Sequence, residues 1–364
     1  MNISKSTLKY EAWLTKRITI LEGDLKLKHT HMAEDPFPFL RATFYRWAQV
    51  WPKVCPELAR APHVLAVGDL HVENFGTWRD IEGRLIWGVN DFDETFPMAY
   101  TNDLVRLAVS AHLAVAANRL AVKAEDACAV ILEGYREGLQ FGGRPFVLEE
   151  NHNWLREAAW GELRDPVQFW KKMDSLPTVK GNVPKGARKG LEALLPERGL
   201  PYRVAHRVAG LGSLGRERFV ALAEWRGGKV AREAKALLPS ACVWANKGKG
   251  STKIFYEDII TSAARVLDPF VNLRGRWIVR RLAPHCSRIE LSTLSKKREE
   301  ERLLRAMGFE TANVHWGSRK DVKAVRRDLA HRKPDWLHAA VKEMTKVVLK
   351  DWEEWREASG KASQ

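Results

Sequence analysis

Residues 67–95, VGDLHVENFGTWRDIEGRLIWGVNDFDET, decide how the rest of the chain is read. The apolar run Val64-Leu65-Ala66-Val67 stops abruptly at Gly68-Asp69, as a short buried strand does when it delivers an acid to its mouth. His71, Glu73 and Asn74 then interleave with Val72 and Phe75, a mixture too polar for a core and too apolar for a solvated loop. Gly83 supplies a turn, residues 84–89 a strand, and Asn90-Asp91-Phe92-Asp93-Glu94 an acidic cluster at its end. Two strand ends thus carry Asp69, Asn74, Asp91 and Asp93 within one short segment. Such oxygen donors suit a hard cation like Mg²⁺, which takes few carboxylates and completes its shell with phosphates and water. The competing reading is a polar turn that merely carries acids.

The spacing of Asp69, Asn74 and the later Asp91-Phe92 pair resembles the catalytic and metal loops of the protein-kinase-like fold. The version GDLHxxN is closest to that of aminoglycoside and choline phosphotransferases. The longer string GDLHxENFG…NDFDET, with Asp103-Leu104-x-Arg106-Leu107 after it, resembles the bacterial family known as domain of unknown function 2252. What the resemblance implies is a phosphoryl-transfer site with ATP and Mg²⁺ as cofactors. Asp69 would act as base on an acceptor hydroxyl, Asn74 and Asp91 would hold the metal, and Asp93 would support it. His71 would shape the loop through a hydrogen bond. Asp103 would brace the catalytic loop, or cap a helix over residues 104–118. Arg41, after the PFPF of residues 36–39, stands where the family carries an arginine.

A second stretch, residues 203–237, contains Gly210, Gly212 and Gly215 in a G-x-G-x-x-G pattern with Ser213 inside it. A dinucleotide fingerprint would need a helix next. The sequence instead gives a strand over residues 218–224, the turn Arg226-Gly227-Gly228, and a strand over residues 229–236 that carries Lys235. Strand, glycine loop, strand, turn and lysine-bearing strand is the order of the nucleotide-gripping sheet in kinases, where the lysine neutralises phosphate oxygens. A glycine-rich hairpin with an exposed lysine is the plainer alternative. Kinase lysines pair with a helix glutamate, and Glu257 in the helical run 255–267 is the candidate, with Asp258 and Glu233 behind it.

In kinases the glycine loop precedes the catalytic loop; here Asp69 and Asp91 precede Gly210 and Lys235. The expected fold is therefore α+β: a two-lobed, protein-kinase-like fold, circularly permuted, with a small antiparallel-sheet nucleotide lobe and a mainly helical catalytic lobe. Residues 1–198 would form the catalytic region, 199–285 the sheet, and 286–364 C-terminal helices. The expected function is ATP- and Mg-dependent phosphoryl transfer to an unknown hydroxyl acceptor. Adenylyl transfer, or a nucleotide- or nucleic-acid-binding module without turnover, remains open. A metallophosphoesterase would share Asp69-x-His71 but needs Gly-Asn-His and Gly-His-x-His strings that the chain lacks.

Bulk properties frame these readings. The 364 residues carry a net charge of +15, concentrated in segments 171–189, 203–218 and 319–332, which favours an acidic partner: nucleotide, phosphorylated metabolite, RNA or DNA. A solubilising surface would give the same balance. No uncharged apolar run is long enough to span a membrane. Cys55, Cys128, Cys242 and Cys286 form no C-x-x-C pair and read as reduced thiols of a cytoplasmic protein. Helices are expected over residues 11–28, 40–51 (stopped by Pro52), 125–140, 298–307 and 322–355, with breaks at residues 36–39, 308–318 and 333–334, and a weak pattern over 151–198.

Overall fold

The computed structural model describes residues 1–149, 151–160, 165–286 and 297–362. Helices come first: α1 (Ile3–Thr15), α2 (Glu22–Glu34), α3 (Pro36–Ala42), α4 (Phe44–Val54) and α5 (Pro56–Ala59). Next are β1 (His63–Ala66), β2 (Phe75–Arg79), β3 (Leu85–Val89), β4 (Phe96–Ala99), α6 (Tyr100–Ala116) and α7 (Ala124–Phe141). Then follow β5 (Phe146–Val147), α8 (Asn153–Trp160), α9 (Pro166–Asp174), α10 (Lys185–Leu194), β6 (Arg203–His206), β7 (Arg218–Trp225) and β8 (Gly228–Ala236). The chain ends with α11 (Ala241–Ala245), α12 (Tyr256–Ser262), β9 (Val271–Arg274), β10 (Trp277–Leu282), α13 (Lys297–His315), α14 (Arg319–His331) and α15 (Trp336–Ala362). The class is mixed α+β with small antiparallel sheets, and no helix among the described residues is long and apolar enough to cross a membrane.

The largest sheet has the order β6-β7-β8-β10-β9 and is antiparallel throughout. Side chains alternate between its faces with period two. One face puts Phe219, Ala221, Ala234, Ala236, Trp277 and Val279 against Ala187 and Leu191 of α10. The other puts Val220, Leu222, Ala231 and Leu282 against Met173 of α9. Register aligns Lys235 with Arg218 and Ile278, and Glu233 with Val220 and Arg280, so this second face also carries the buried Lys235, Arg218 and Glu233. Because α9 and α10 supply the apolar cover of the sheet, the sheet unit begins ahead of residue 199, where the boundary was expected. The weak pattern over 151–198 reflects short helices with one covered stripe; residues 161–164 of it, and residues 287–296 of the expected C-terminal segment, lie outside the described residues.

Elsewhere the chain departs from the expected breaks for identifiable reasons. Pro36 does not break a helix but starts α3, where its missing N–H costs nothing, and Asp35 caps the turn by accepting the Phe37 N–H at 2.8 Å. The long N-terminal helix is two helices, with Ile20 between them bridged to Arg216. Pro52 sits within the last turn of α4 rather than beyond it. α13 runs unbroken through Gly308, because that glycine serves packing: an added Cβ would lie 2.0 Å from the Ile131 carbonyl, and one at Gly134 would lie 1.9 Å from the Arg305 carbonyl. α7 and α13 therefore cross backbone to backbone. β9, with its turn at Gly275, was not expected at all.

Candidate active site

β1 ends at Ala66, and its continuation Val67-Gly68 is pinned by a buried carboxylate. Asp103, in the first turn of α6, accepts the N–H of Val67 at 2.7 Å and of Gly68 at 3.0 Å. It does not cap the helix, which starts earlier at Tyr100 with Ala99 as its N-cap residue; bracing the loop is its role here. His315 of α13 lies 3.0 Å from Asp103 and the Tyr135 hydroxyl 2.8 Å from His315, a fully buried chain behind the loop. Gly68 has φ +81°, and a Cβ there would meet the Glu94 carbonyl at 2.4 Å, so only glycine allows the loop to pass the β3–β4 connection.

This fixed turn presents Asp69. Arg106, fully buried in α6 and stacked over Phe44 and Trp47, donates to Asp69 Oδ1 from Nε at 2.9 Å and Nη2 at 2.5 Å. Burial raises the Asp69 carboxyl, Arg106 opposes that rise, and Asp91 adds to it. Asn74 donates its amide hydrogens to the main-chain carbonyls of Asp69 (3.2 Å) and Asp91 (3.0 Å). Among the described residues no donor reaches the side-chain oxygen of Asn74. His71 accepts the Glu73 N–H at Nδ1 (3.2 Å), a hydrogen bond that shapes the loop. Glu73 in turn pairs with Arg41 at 2.5 Å, which accounts for that arginine.

Lys235 reaches this loop from the sheet. Its amine, 2% exposed, lies 3.3 Å from both Asp91 oxygens and 2.6 Å from Asp93 Oδ1, the latter out of line for a hydrogen bond. Burial works against charge on Asp91, but Lys235, a hydrogen bond from Asp93 and Arg280 hold it well below the usual carboxylate range; its side chain keeps 34% exposure. Burial and then the Asp91 charge push Asp93 up. Glu257, the expected partner of the lysine, is exposed on α12 and lines the larger of two cavities that flank the site, and among the described residues it makes no ion pair with Lys235. Glu233 does not pair with Lys235 either. It is fully buried two residues along the same strand face, bound by Arg218 (3.0 Å), Arg280 (2.8 Å) and Arg207. Burial opposes its charge, yet Arg218, Arg280 and Arg207 hold it far down.

The glycine loop crosses over Asp69. Gly210 and Gly215 take positive φ, Leu211–Ser213 form a 3₁₀ turn, and a Cβ at Gly212 would lie 3.1 Å from the Arg41 carbonyl and 3.5 Å from Asp69 Oδ2. The Ser213 hydroxyl accepts from Arg218 at 2.8 Å, inside the loop. α2 holds the loop from the other side: Lys28 Nζ donates to the Gly212 carbonyl at 3.2 Å, and the Leu21 N–H to the Gly215 carbonyl at 2.9 Å.

Two cavities flank the Asp91–Lys235 contact. One, of about 390 Å³, lies between the charged sheet face and α12; its lining includes the apolar Trp78, Ile260, Leu267 and Leu273 and the charged Arg207, Arg218, Arg280 and Asp91. The other, of about 50 Å³, lies under the glycine loop among Asp69, Asn74, Asp93, Lys28 and Arg216. Among the described residues no three His, Cys, Asp or Glu side chains form a metal cluster by themselves. Asp91, Asp93 and the Asn74 oxygen are nonetheless hard donors, of the sort that bind Mg²⁺ alongside phosphate oxygens. Sequence reading brought out Asp69, Asn74, Asp91, Asp93 and Lys235, which the fold gathers. It missed Lys28, Arg207, Arg216 and Arg280, whose only signal was the excess of basic residues.

The fold and site define a mixed α+β protein in which a sheet lysine meets two hairpin aspartates beside a glycine loop. Residues 21–160 match the model of a family described as uncharacterized protein conserved in bacteria, DUF2252. The matched segment contains the Asp69 and Asp91 loops and ends before the glycine loop. No curated protein and no solved structure matches the chain.

Proposed function

We propose that the protein is an ATP- and Mg-dependent phosphotransferase of permuted protein-kinase-like architecture, acting on a hydroxyl acceptor. One observation carries the reading: Lys235 meets Asp91 at 3.3 Å although 144 residues separate them. A lysine on an antiparallel sheet and an aspartate after a hairpin have reason to converge where both serve one polyphosphate and its metal. In this reading the larger cavity takes the nucleoside against its apolar lining residues, and Lys235 with the glycine-loop amides takes the phosphates. Asn74, Asp91 and Asp93 would hold Mg²⁺, which when bound neutralises phosphate charge. Asp69, fixed through Oδ1 by Arg106, offers Oδ2 to the acceptor hydroxyl. The acceptor oxygen bonds to the γ-phosphorus, the bond to the bridging oxygen breaks, ADP leaves, and the proton passes to Asp69. The reversed motif order reads as circular permutation, tolerable because the same groups meet whatever their order of synthesis.

The test is a thermal-shift panel of ATP, ADP, AMP and GTP with and without Mg²⁺. A ligand that binds only the folded state adds about 2.7 kcal/mol at one hundred times its Kd. Mg-ATP is expected to stabilise the wild type most, and Lys235→Met to lose that gain. Absence of stabilisation by any nucleotide sinks the reading.

A further inference from the structure

The cavity beneath the glycine loop contains a cation that no step above uses. Its acids already have partners: Asp69 has Arg106, Asp91 and Asp93 have Lys235, and Glu94 has Arg216 at 3.2 Å. Arg41, also on the cavity wall, is taken by Glu73. Lys28 is left over. The residue is 5% exposed, and among the described residues its amine makes one hydrogen bond, to the Gly212 carbonyl, and no ion pair. Its other near neighbour is the Tyr45 ring, at 5.9 Å. Burial, and after it the charge of Arg216, lower the amine to about 8, against weaker support from Glu11, Glu94 and Asp69. An uncompensated buried ammonium is costly, and folds keep one where an anion arrives to meet it.

We propose that this cavity is a subsite for a tetrahedral oxyanion, bound by Lys28 from α2 with Arg216 opposite. About 50 Å³ is room for a few waters or one such group. Asp69 Oδ2 lies against Gly212 at its edge, so a phosphoryl group bound here sits beside the acid. The Gly212 carbonyl orients the amine and leaves its other hydrogens for the anion. The inference rests on the phosphotransferase reading only for the source of the oxyanion: the transferred group of the nucleotide or an anionic group of the acceptor.

The experiment is isothermal titration of the full chain with sodium sulfate at constant ionic strength, for wild type, Lys28→Met, Lys28→Gln and Lys28→Arg. Sulfate does not titrate near neutral pH and has the required shape. Saturable binding is expected in the wild type, weakened about tenfold or more in the Met and Gln variants and partly kept in the Arg variant, the worth of a charge-assisted hydrogen bond. Lys28→Met should also melt no lower than the wild type without sulfate, since it removes a buried charge. A lysine that only anchors the glycine loop would instead give a lower melting temperature in Lys28→Met and equal sulfate affinity in all four proteins. That result, or no saturable binding to the wild type, overturns the proposal. Repeating the titration with Mg-ADP and Mg-ATP separates the sources: displacement by Mg-ATP alone assigns the subsite to the transferred phosphoryl group, and persistence with both assigns it to the acceptor. Sulfate binding without any nucleotide binding would leave the subsite standing and remove the phosphotransferase reading; nucleotide binding without sulfate would do the reverse.

Discussion

At the scale of single residues, Asp69 has two separable properties. One oxygen is committed to Arg106 and the other faces the glycine loop, so in the proposed phosphotransferase chemistry and stability would both depend on it. Asp69→Asn keeps a hydrogen-bond acceptor for Arg106 but leaves that fully buried guanidinium without its counter-charge. Mg-ATP affinity is expected to stay within a few-fold, while turnover falls by about 10² to 10⁴, the usual worth of a general base. Stability should drop as well, by up to about 3–5 kcal/mol, the cost of breaking a buried pair. Unchanged turnover in any assay where the wild type is active would remove Asp69 from the mechanism. Lys235→Ala should differ: in the proposed phosphotransferase the amine would serve the phosphates, and it also relieves the repulsion between Asp91 and Asp93, so nucleotide binding and turnover should weaken together. Asp69, Asn74, Asp91 and Lys235 were legible because each lies in a short motif whose spacing is set by local backbone. The partners of Lys235 and Glu233 were not. They depend on which face of β8 meets which loop, and that is settled by pairing across the chain.

At the scale of elements, strands were easier to read than helix ends. β3, β7 and β8 fall within a residue or two of expectation, since an apolar run between turn residues leaves a central strand few alternatives. The helix breaks failed where glycine and proline had another purpose. Gly308 marks the α7–α13 crossing, and Gly308→Ala is expected to destabilise the fold by about 1–3 kcal/mol or more as overpacking against the Ile131 carbonyl. A denaturation midpoint equal to wild type would contradict that crossing. The same helix carries Glu310, buried under β3, accepting from the Val89 N–H at 3.2 Å and Asn313 at 2.8 Å. Burial raises its carboxyl from 4.5 to about 7. A carboxyl raised on folding favours the native state below its unfolded value, and that contribution disappears as pH rises through the folded one. Ionising Glu310 should therefore cost on the order of 3 kcal/mol between about pH 5 and pH 8. Glu310→Gln should flatten the fall in stability over that window, whatever its fixed cost. Equal slopes in both proteins would show that the group stays ionised throughout.

At the scale of the whole molecule, charge is where sequence said least about position. The basic segments 171–189 and 319–332 border neither cavity; among the cations that do, Arg207, Arg218, Arg280 and Arg216 neutralise buried acids. On α14, Val322, Val325 and Leu329 turn inward, while Arg319, Lys320, Lys323, Arg326 and Arg327 are exposed. Such a face would attract a polyanion by counterion release, independently of the larger cavity. A fluorescent oligonucleotide is therefore expected to bind with an affinity that falls by roughly 10³ between 50 and 200 mM salt for about six phosphate contacts. Saturating Mg-ATP should not displace it, and replacing the five α14 cations by Gln should remove most of both the binding and its salt slope. Competition with Mg-ATP would put the polyanion in the cavity instead and make it a candidate acceptor. A flat salt response in both proteins would leave the charge of α14 to solubility and a small hydroxylated molecule as the better acceptor.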